Sequence, residues 1–301
     1  MPDSNNDQQI RFLLPSAGVR GVAVELERAW QEIKAHADYP PQALSLLGQA
    51  CAAAALFTGH AKVNGRLSLQ LRSPHALRTL FTECTAQGTL RGIVRLSEDD
   101  ATADAPTDLR QLGDEAMLAI TIENPGLDPS EPQRYQSLVS LHAATLDAAL
   151  EAYFVQSEQL PTRLLLAADG TRAAGLMLQR LPGDDGDSDG WDRACALFDT
   201  LQPAELLSTS SQTLLHRLFH EDGAEVLARR PLSFACSCSR DRVSAMLEAL
   251  GADEARAALR PDGTAEVRCE FCGRSYVFNG SQIEELFARR AVQVPGPERL
   301  Q

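Results

Sequence analysis

The sequence predicts an α+β protein of antiparallel sheets with packed helices, a helical linker and a small four-cysteine module. Three observations carry this. Alternating apolar runs follow one another directly over residues 1–182, an acidic, glycine-rich break then precedes two helical stripes, and four of the seven cysteines fall in two tight pairs near the C-terminus. Strands in direct succession pair antiparallel, whereas a parallel array would place a helix between each pair of strands.

In chain order, VELERAWQEIKAH (Val24–His36) and PQALSLLGQACAAAALF (Pro41–Phe57) have helical spacing. RLSLQLR sends Leu67, Leu69 and Leu71 to one face of a strand, and LAITIE does the same with Leu118, Ile120 and Ile122. TLRGIVRL, YQSLVSL, TRLLLAA and GLMLQRL read as further strands, and TLDAALEAYFVQ as a helix. LPGDDGDSDGW, from Leu181 to Trp191, has nothing to bury and reads as a break in the fold. Beyond it, Trp191, Ala194, Cys195, Phe198 and Leu201 form one apolar helical stripe, and Leu214, Leu215, Leu218 and Phe219 another. The expected domains are therefore 1–182, an α+β domain; 183–235, a metastable helical linker; and 236–301, a small zinc-binding module.

Within that module a helix over Asp241–Leu250 is expected to stop at Gly251, and Asp262-Gly263 to turn into a strand ending at Cys269. Ser275–Phe278 reads as strand. Ser281 with Glu284 has the spacing of a capping box opening a helix that carries Ile283, Leu286 and Phe287. So few core residues seldom hold a fold without a staple.

Composition bounds the function. The chain has 28 Lys plus Arg against 41 Asp plus Glu, a formal charge of −13, which repels nucleic acid and anionic lipid. No basic run offsets it, and Lys34 and Lys62 are the only lysines. The start, MPDSNNDQQIRF, is polar and acidic where an export signal needs a basic and then an apolar stretch, so a soluble cytoplasmic protein with no membrane span is expected. The longest apolar run, Ala50–Phe57, is far below the ~18 residues of a span. An odd cysteine count in such a chain suits a reducing compartment, where clustered thiols bind metal or sense oxidants.

The cysteines follow the pattern Cys236-x-Cys238, thirty residues, then Cys269-x-x-Cys272. Four thiolates in two short-range pairs can close a tetrahedron around one Zn2+, and pairing them locally lowers the entropy cost of assembly. Gly273 permits the turn that presents amides to sulfur in zinc knuckles. Zinc in small cysteine modules contributes roughly 10–16 kcal/mol, as much as a domain's whole stability. Cys-x-Cys also places two sulfurs for rapid mutual oxidation should the metal leave. A zinc ribbon for nucleic acid and a thiol oxidoreductase use similar cysteines. Against the first, the chain from Pro231 onward carries nine arginines and ten carboxylates. Against the second, CEFC leads into a strand rather than opening a helix whose dipole would acidify its first thiol.

CSCSRDR (Cys236–Arg242) and CEFCGRSYVFN (Cys269–Asn279), together with YFVQSEQLPTR (Tyr153–Arg163), AAGLMLQRLP (Ala173–Pro182) and LFHEDG (Leu218–Gly223), resemble the family of redox-regulated heat-shock chaperones of thirty-three kilodaltons, the 33 kDa chaperonins, over nearly the whole chain. The resemblance implies an ATP-independent holdase rather than an enzyme, inactive while reduced and holding one zinc ion per chain on Cys236, Cys238, Cys269 and Cys272. It implies that hypochlorous acid, or peroxide with mild heat, links Cys236 with Cys238 and Cys269 with Cys272 and expels the zinc. The module and linker then lose structure and expose surface for unfolding client proteins, with a homodimer as the active form. Cys51 and Cys84 lie outside the motif and read as buried, inert thiols, and Cys195 as a thiol that activation exposes.

Other motifs read more plainly as structure. Asp185-x-Asp187-x-Asp189-Gly190 imitates the start of a calcium loop, but its twelfth position is Ala196, so a solvated acidic loop is expected. His216 and His220 are spaced to share a metal yet belong to no HExxH, and read as exposed helix histidines. GHAKVNG around Lys62 lacks the phosphate-loop pattern, and no Ser, His, Asp set stands out for catalysis.

Overall fold

The computed structural model describes residues 7–61, 63–97, 104–126, 128, 131–183 and 187–292. Residues 1–6, Lys62, residues 184–186 of the acidic loop and the tail beyond Val292, all used in the sequence reading, lie outside them. The chain divides into two compact units, Met1–Ala235 and Cys236–Gln301.

The first unit opens with strands the periodicity reading passed over. In β1 (Gln8–Leu14) Ile10, Phe12 and Leu14 are buried on one face, and β2 (Val19–Leu26) returns antiparallel beside it. The helical spacing read from Val24 holds only from α1 (Arg28–Lys34). Val24 and Leu26 instead complete ladders to β1 and a later strand, and the Asp7 carboxylate accepts the Ala29 N–H at 2.9 Å where the helix begins. α2 (Pro41–His60) follows, with Pro41 at a first-turn position where its missing N–H costs nothing.

Next come β3 (Arg66–Arg72), β4 (Leu77–Thr85), β5 (Thr89–Leu96), β6 (Met117–Asn124) and β7 (Gln133–Ser140). α3 (Leu146–Tyr153) runs into a wider turn over Phe154–Glu158, which Gln159 ends with φ +56°. β8 (Thr162–Ala168) and β9 (Ala173–Arg180) form a hairpin. α4 (Gly190–Phe198), α5 (Pro203–Ser208), α6 (Ser211–Phe219), β10 (Glu225–Pro231) and the short β11 (Ser233–Phe234) close the unit.

The strands make a sheet of order β10-β1-β2-β9-β8 and another of order β11-β5-β4-β3-β6-β7. All pairings are antiparallel except β11 with β5, which bears out the α+β expectation. α2 packs on strands of both sheets, and Leu47, Cys51 and Leu56 on it share a core with Val22, Val24, Leu69 and Leu80. Its small residues, Ala50 and Ala52–Ala55, let two sheets approach one helix closely. The helix is long and apolar enough to cross a membrane, but 78% of its most apolar window is buried inside the protein, which accounts for its composition.

The opposite face of the five-stranded sheet forms a second core. Ile10, Phe12, Leu14, Val19, Leu176 and Leu178 meet Ala194, Phe198, Leu201, Leu214, Leu215 and Phe219, so both helical stripes read from the sequence are covered by sheet. The LFHEDG turn is anchored by the buried Asp222, which accepts from Arg193 Nε at 2.9 Å. Arg193 also pairs with Asp187 and Asp189, so an arginine of α4 ties down the described part of the acidic loop and offsets part of its charge.

Phe219 is fully buried and stacks on Phe12 at 6.2 Å between ring centroids. Phe219→Ala is therefore expected to destabilise the first unit by about 3–5 kcal/mol and to speed proteolysis within 190–219; urea unfolding and limited digestion check both.

Candidate functional site

The second unit is built around the two cysteine pairs. Cys236 and Cys238 lie in extended chain leading to α7 (Arg240–Leu250), whose cap Ser239 accepts the Arg242 N–H at 3.2 Å. Gly251, at φ +105°, ends that helix as expected, and a short α8 (Ala252–Ala257) follows that periodicity did not reveal. Asp262 accepts the Thr264 N–H at 3.0 Å and turns the chain into β12 (Thr264–Arg268), which pairs antiparallel with β13 (Ser275–Asn279). Cys269-Glu-Phe-Cys272 is thus the tip of a hairpin. Gly273 adopts φ +66° and donates to the Cys269 carbonyl at 2.8 Å, a conformation that a side chain would strain.

The final helix, α9 (Gly280–Val292), corrects one sequence assignment. The reciprocal cap is Asn279 with Gln282, with N–H to side-chain oxygen distances of 2.9 and 3.1 Å, and not Ser281 with Glu284. β13 ends at Asn279, so the helix starts two residues earlier than the Ser-x-x-Glu spacing suggests. Glu284 instead receives two bonds from Arg256, at 2.7 and 2.8 Å. Val243, Leu247, Ala255, Ala265, Tyr276, Phe278 and Ile283 form the core, with Leu286 and Phe287 packed against it. Arg240 lies over the Phe278 ring, 4.2 Å from its centre.

At the hairpin tip the four sulfur atoms of Cys236, Cys238, Cys269 and Cys272 all lie within 4.8 Å of one another. Cys236 Sγ is 3.7 Å from Cys269 Sγ, and Cys238 Sγ is 3.3 Å from Cys272 Sγ. Sulfurs ~2.3 Å from one tetrahedral metal ion stand about 3.8 Å apart, so the cluster has the dimensions to hold one such ion. The backbone supports that use. The Cys238 amide faces the Cys236 sulfur and the Arg274 amide the Cys272 sulfur, each favouring thiolate.

The four thiols are not equivalent. Burial pushes Cys236 up, and burial with neighbouring thiols pushes Cys272 up to about 12. At Cys238 burial also raises the thiol, but the Tyr276 hydroxyl, donating to Sγ at 3.1 Å, and the other thiols outweigh it and bring it down to about 7. Sequence reasoning passed over Tyr276; its only signal is its place four residues after Cys272, where a strand turns it back toward the sulfurs.

Cys51, Cys84 and Cys195, all in the first unit, are also free. Cys51 and Cys84 are buried, and burial raises both thiols, Cys84 to about 11. Cys195 is half-buried on α4, and burial raises it to about 11 as well. His216 and His220 are exposed with ring centres 5.6 Å apart, and no third ligand joins them among the described residues.

Comparison with known proteins gives concordant matches. The family model described as Hsp33 protein matches residues 7–279. A 33 kDa chaperonin of Pseudomonas aeruginosa (strain LESB58) is 40% identical over 98% of this chain and 99% of its own length. That of Pseudomonas syringae pv. syringae (strain B728a) is 40% identical over 98% of each. The crystal structure of a 33 kDa chaperonin from Thermotoga maritima superposes with a TM-score of 0.78 at 21% identity, covering 96% of this chain and all of that one, which shows a shared fold.

Tyr276→Phe removes the hydroxyl that donates to Cys238. Titration with Zn(II) against a chromophoric chelator is expected to show affinity weakened roughly 10–100-fold; an unchanged constant would mean that the hydroxyl does not support the sulfur.

Proposed function

This chain belongs to the Hsp33 family of 33 kDa chaperonins, and on that premise we propose that it is an ATP-independent holdase kept inactive by one zinc ion on Cys236, Cys238, Cys269 and Cys272 and activated by their oxidation. The observation that carries the reading is the convergence of four free sulfurs, from segments thirty residues apart, in a unit with a small core. Bound there, zinc supplies a cross-link and no reaction step. The Cys238 and Arg274 amides and the Tyr276 hydroxyl stabilise the sulfurs as thiolates.

How the thiols pair on oxidation decides whether the cross-link survives. Disulfides between Cys236 and Cys269 and between Cys238 and Cys272 would still tie α7 to the hairpin. Disulfides between sequence neighbours, Cys236 with Cys238 and Cys269 with Cys272, would close two trivial loops and leave the segments free of each other. The resemblance to the 33 kDa chaperonins implies the second pairing, which is the one we assign, and it lets oxidation release the two segments from each other. Loss of structure then extends into the preceding segment of residues 183–235. The apolar stripes of α4 and α6 and the sheet face beneath them become available to unfolding clients, and the active form is a homodimer.

Free thiols suit a reducing cytoplasm as the resting compartment. With a formal charge of −13, neither nucleic acid nor an anionic membrane is assigned as a partner.

The reduced, zinc-loaded protein is expected to leave aggregation of a heat-unfolding reporter enzyme unchanged. Hypochlorous acid should release one zinc per chain, link sequence neighbours by peptide mapping, and confer suppression of aggregation that a thiol reductant reverses. Chelation of zinc from the reduced protein should abolish the helical circular dichroism of the second unit, since the metal contributes roughly 10–16 kcal/mol to such modules. Equal suppression by reduced protein, or disulfides that join the two segments, would overturn the switch.

A further inference from the structure

The first unit gathers positive charge that no stretch of sequence displays. Past the C-terminal end of α2, the sheet face that this helix covers carries Arg11 on β1, Arg20 on β2 and Arg230 on β10. With Gln9, His60 and Asn64 they line an open cleft of about 490 Å³. The register explains the convergence: Gln9 stands opposite Arg230 and Arg11 opposite Ala228, so period-two alternation sends these side chains to the same face.

None of the three guanidinium groups forms an ion pair among the described residues, and no carboxylate lines the cleft. Arg11 is exposed. Arg20 bonds only neutral groups, the Gln179 side-chain oxygen at 3.1 Å from Nε and a His60 ring nitrogen at 3.3 Å. Arg230 donates from Nη1 to the Ala86 carbonyl at 2.9 Å, while its Nε and Nη2 are closed off from solvent with no partner. A buried charged donor left unmet is costly, and a chain with 41 carboxylates had many ways to meet it. Burial and the charge of Arg11 pull both Arg20 and Arg230 below the ordinary guanidinium range, and burial with Arg20 and Arg11 holds His60 down to about 3, a neutral ring at physiological pH. With three guanidinium charges and no carboxylate in its lining, the cleft has a positive potential that favours an anion.

Guanidinium forks match the oxygen geometry of phosphate, which accepts several at once. The cleft exceeds a single inorganic phosphate in size and offers no Phe, Tyr or Trp for stacking a base. We propose that it binds a small phosphate-bearing anion, with Arg11 as the exposed guanidinium that meets it and Arg20 and Arg230 supplying positive charge from behind. Gly59, His60, Ala61, Val63 and Asn64, from a stretch that matches no phosphate-loop pattern, line one side of it. This site involves neither the cysteines nor a metal.

Calorimetric titration of the reduced full-length protein in chloride-poor buffer tests it, using inorganic pyrophosphate, inorganic phosphate and citrate. Pyrophosphate is expected to bind saturably and to raise the melting temperature. Arg11→Gln should weaken binding about tenfold, Arg11→Gln with Arg230→Gln should abolish it, and added sodium chloride should weaken it. Because Arg11 is exposed and unpaired, Arg11→Gln should melt like the parent without ligand, separating lost binding from lost folding. The proposal fails if neither phosphate binds the parent, if Arg11→Gln binds pyrophosphate as the parent does, or if citrate binds more tightly than pyrophosphate.

Discussion

On the proposed function, the second unit depends on keeping four sulfur atoms together at the meeting of two segments that the chain separates by thirty residues. Among the described residues, seven buried side chains make its core, a small number against the conformational entropy of ordering the surrounding chain. Local structure serves that contact. Ser239 starts α7 directly after Cys238, the β12–β13 ladder brings Cys269 and Cys272 to one hairpin tip, and Gly273 bends the backbone so that an amide faces sulfur. On the proposed function, a metal ion shared by the sulfurs stabilises this arrangement and oxidation of the thiolates removes it, so stability and sensitivity have the same source.

The first unit is held together differently. One apolar helix fills the space between two sheets, and the five-stranded sheet is apolar on both faces where α2 covers one and α4 to α6 the other. The acidic break does not isolate those helices: Gly190 lies against Ala17, and Arg193 binds three aspartates around the loop. Amphipathic helices laid on a sheet form a core separate from the one around α2. Where α2 ends, the same sheet face changes from valine to arginine, and the cleft begins.

Much of this was legible from residue patterns. Leu67, Leu69 and Leu71, and Leu118, Ile120 and Ile122, alternate as strands should; all but the half-buried Ile122 are buried, and the two strands pair. Val24–Leu26 read as the start of a helix because one window cannot distinguish a buried strand running into a helix from a longer helix. β10 gave no periodic signal because it lies at an edge with Glu225–Arg229 exposed. The capping pair moved from Ser281 and Glu284 to Asn279 and Gln282 because the end of β13 sets where the helix begins.

The sequence by itself determined the α+β class, the spacing of the four cysteines and the helical stripes beyond residue 190, since each is a local pattern whose physical cause lies within a few residues. Tertiary structure alone decided that Tyr276 reaches Cys238, that Arg193 pairs with aspartates of the acidic loop and with Asp222, and that Arg11, Arg20 and Arg230 face one cleft. Those facts depend on strand register and on which helix end covers which part of a sheet. Register is set by the packing of the whole unit, so no window of residues contains it.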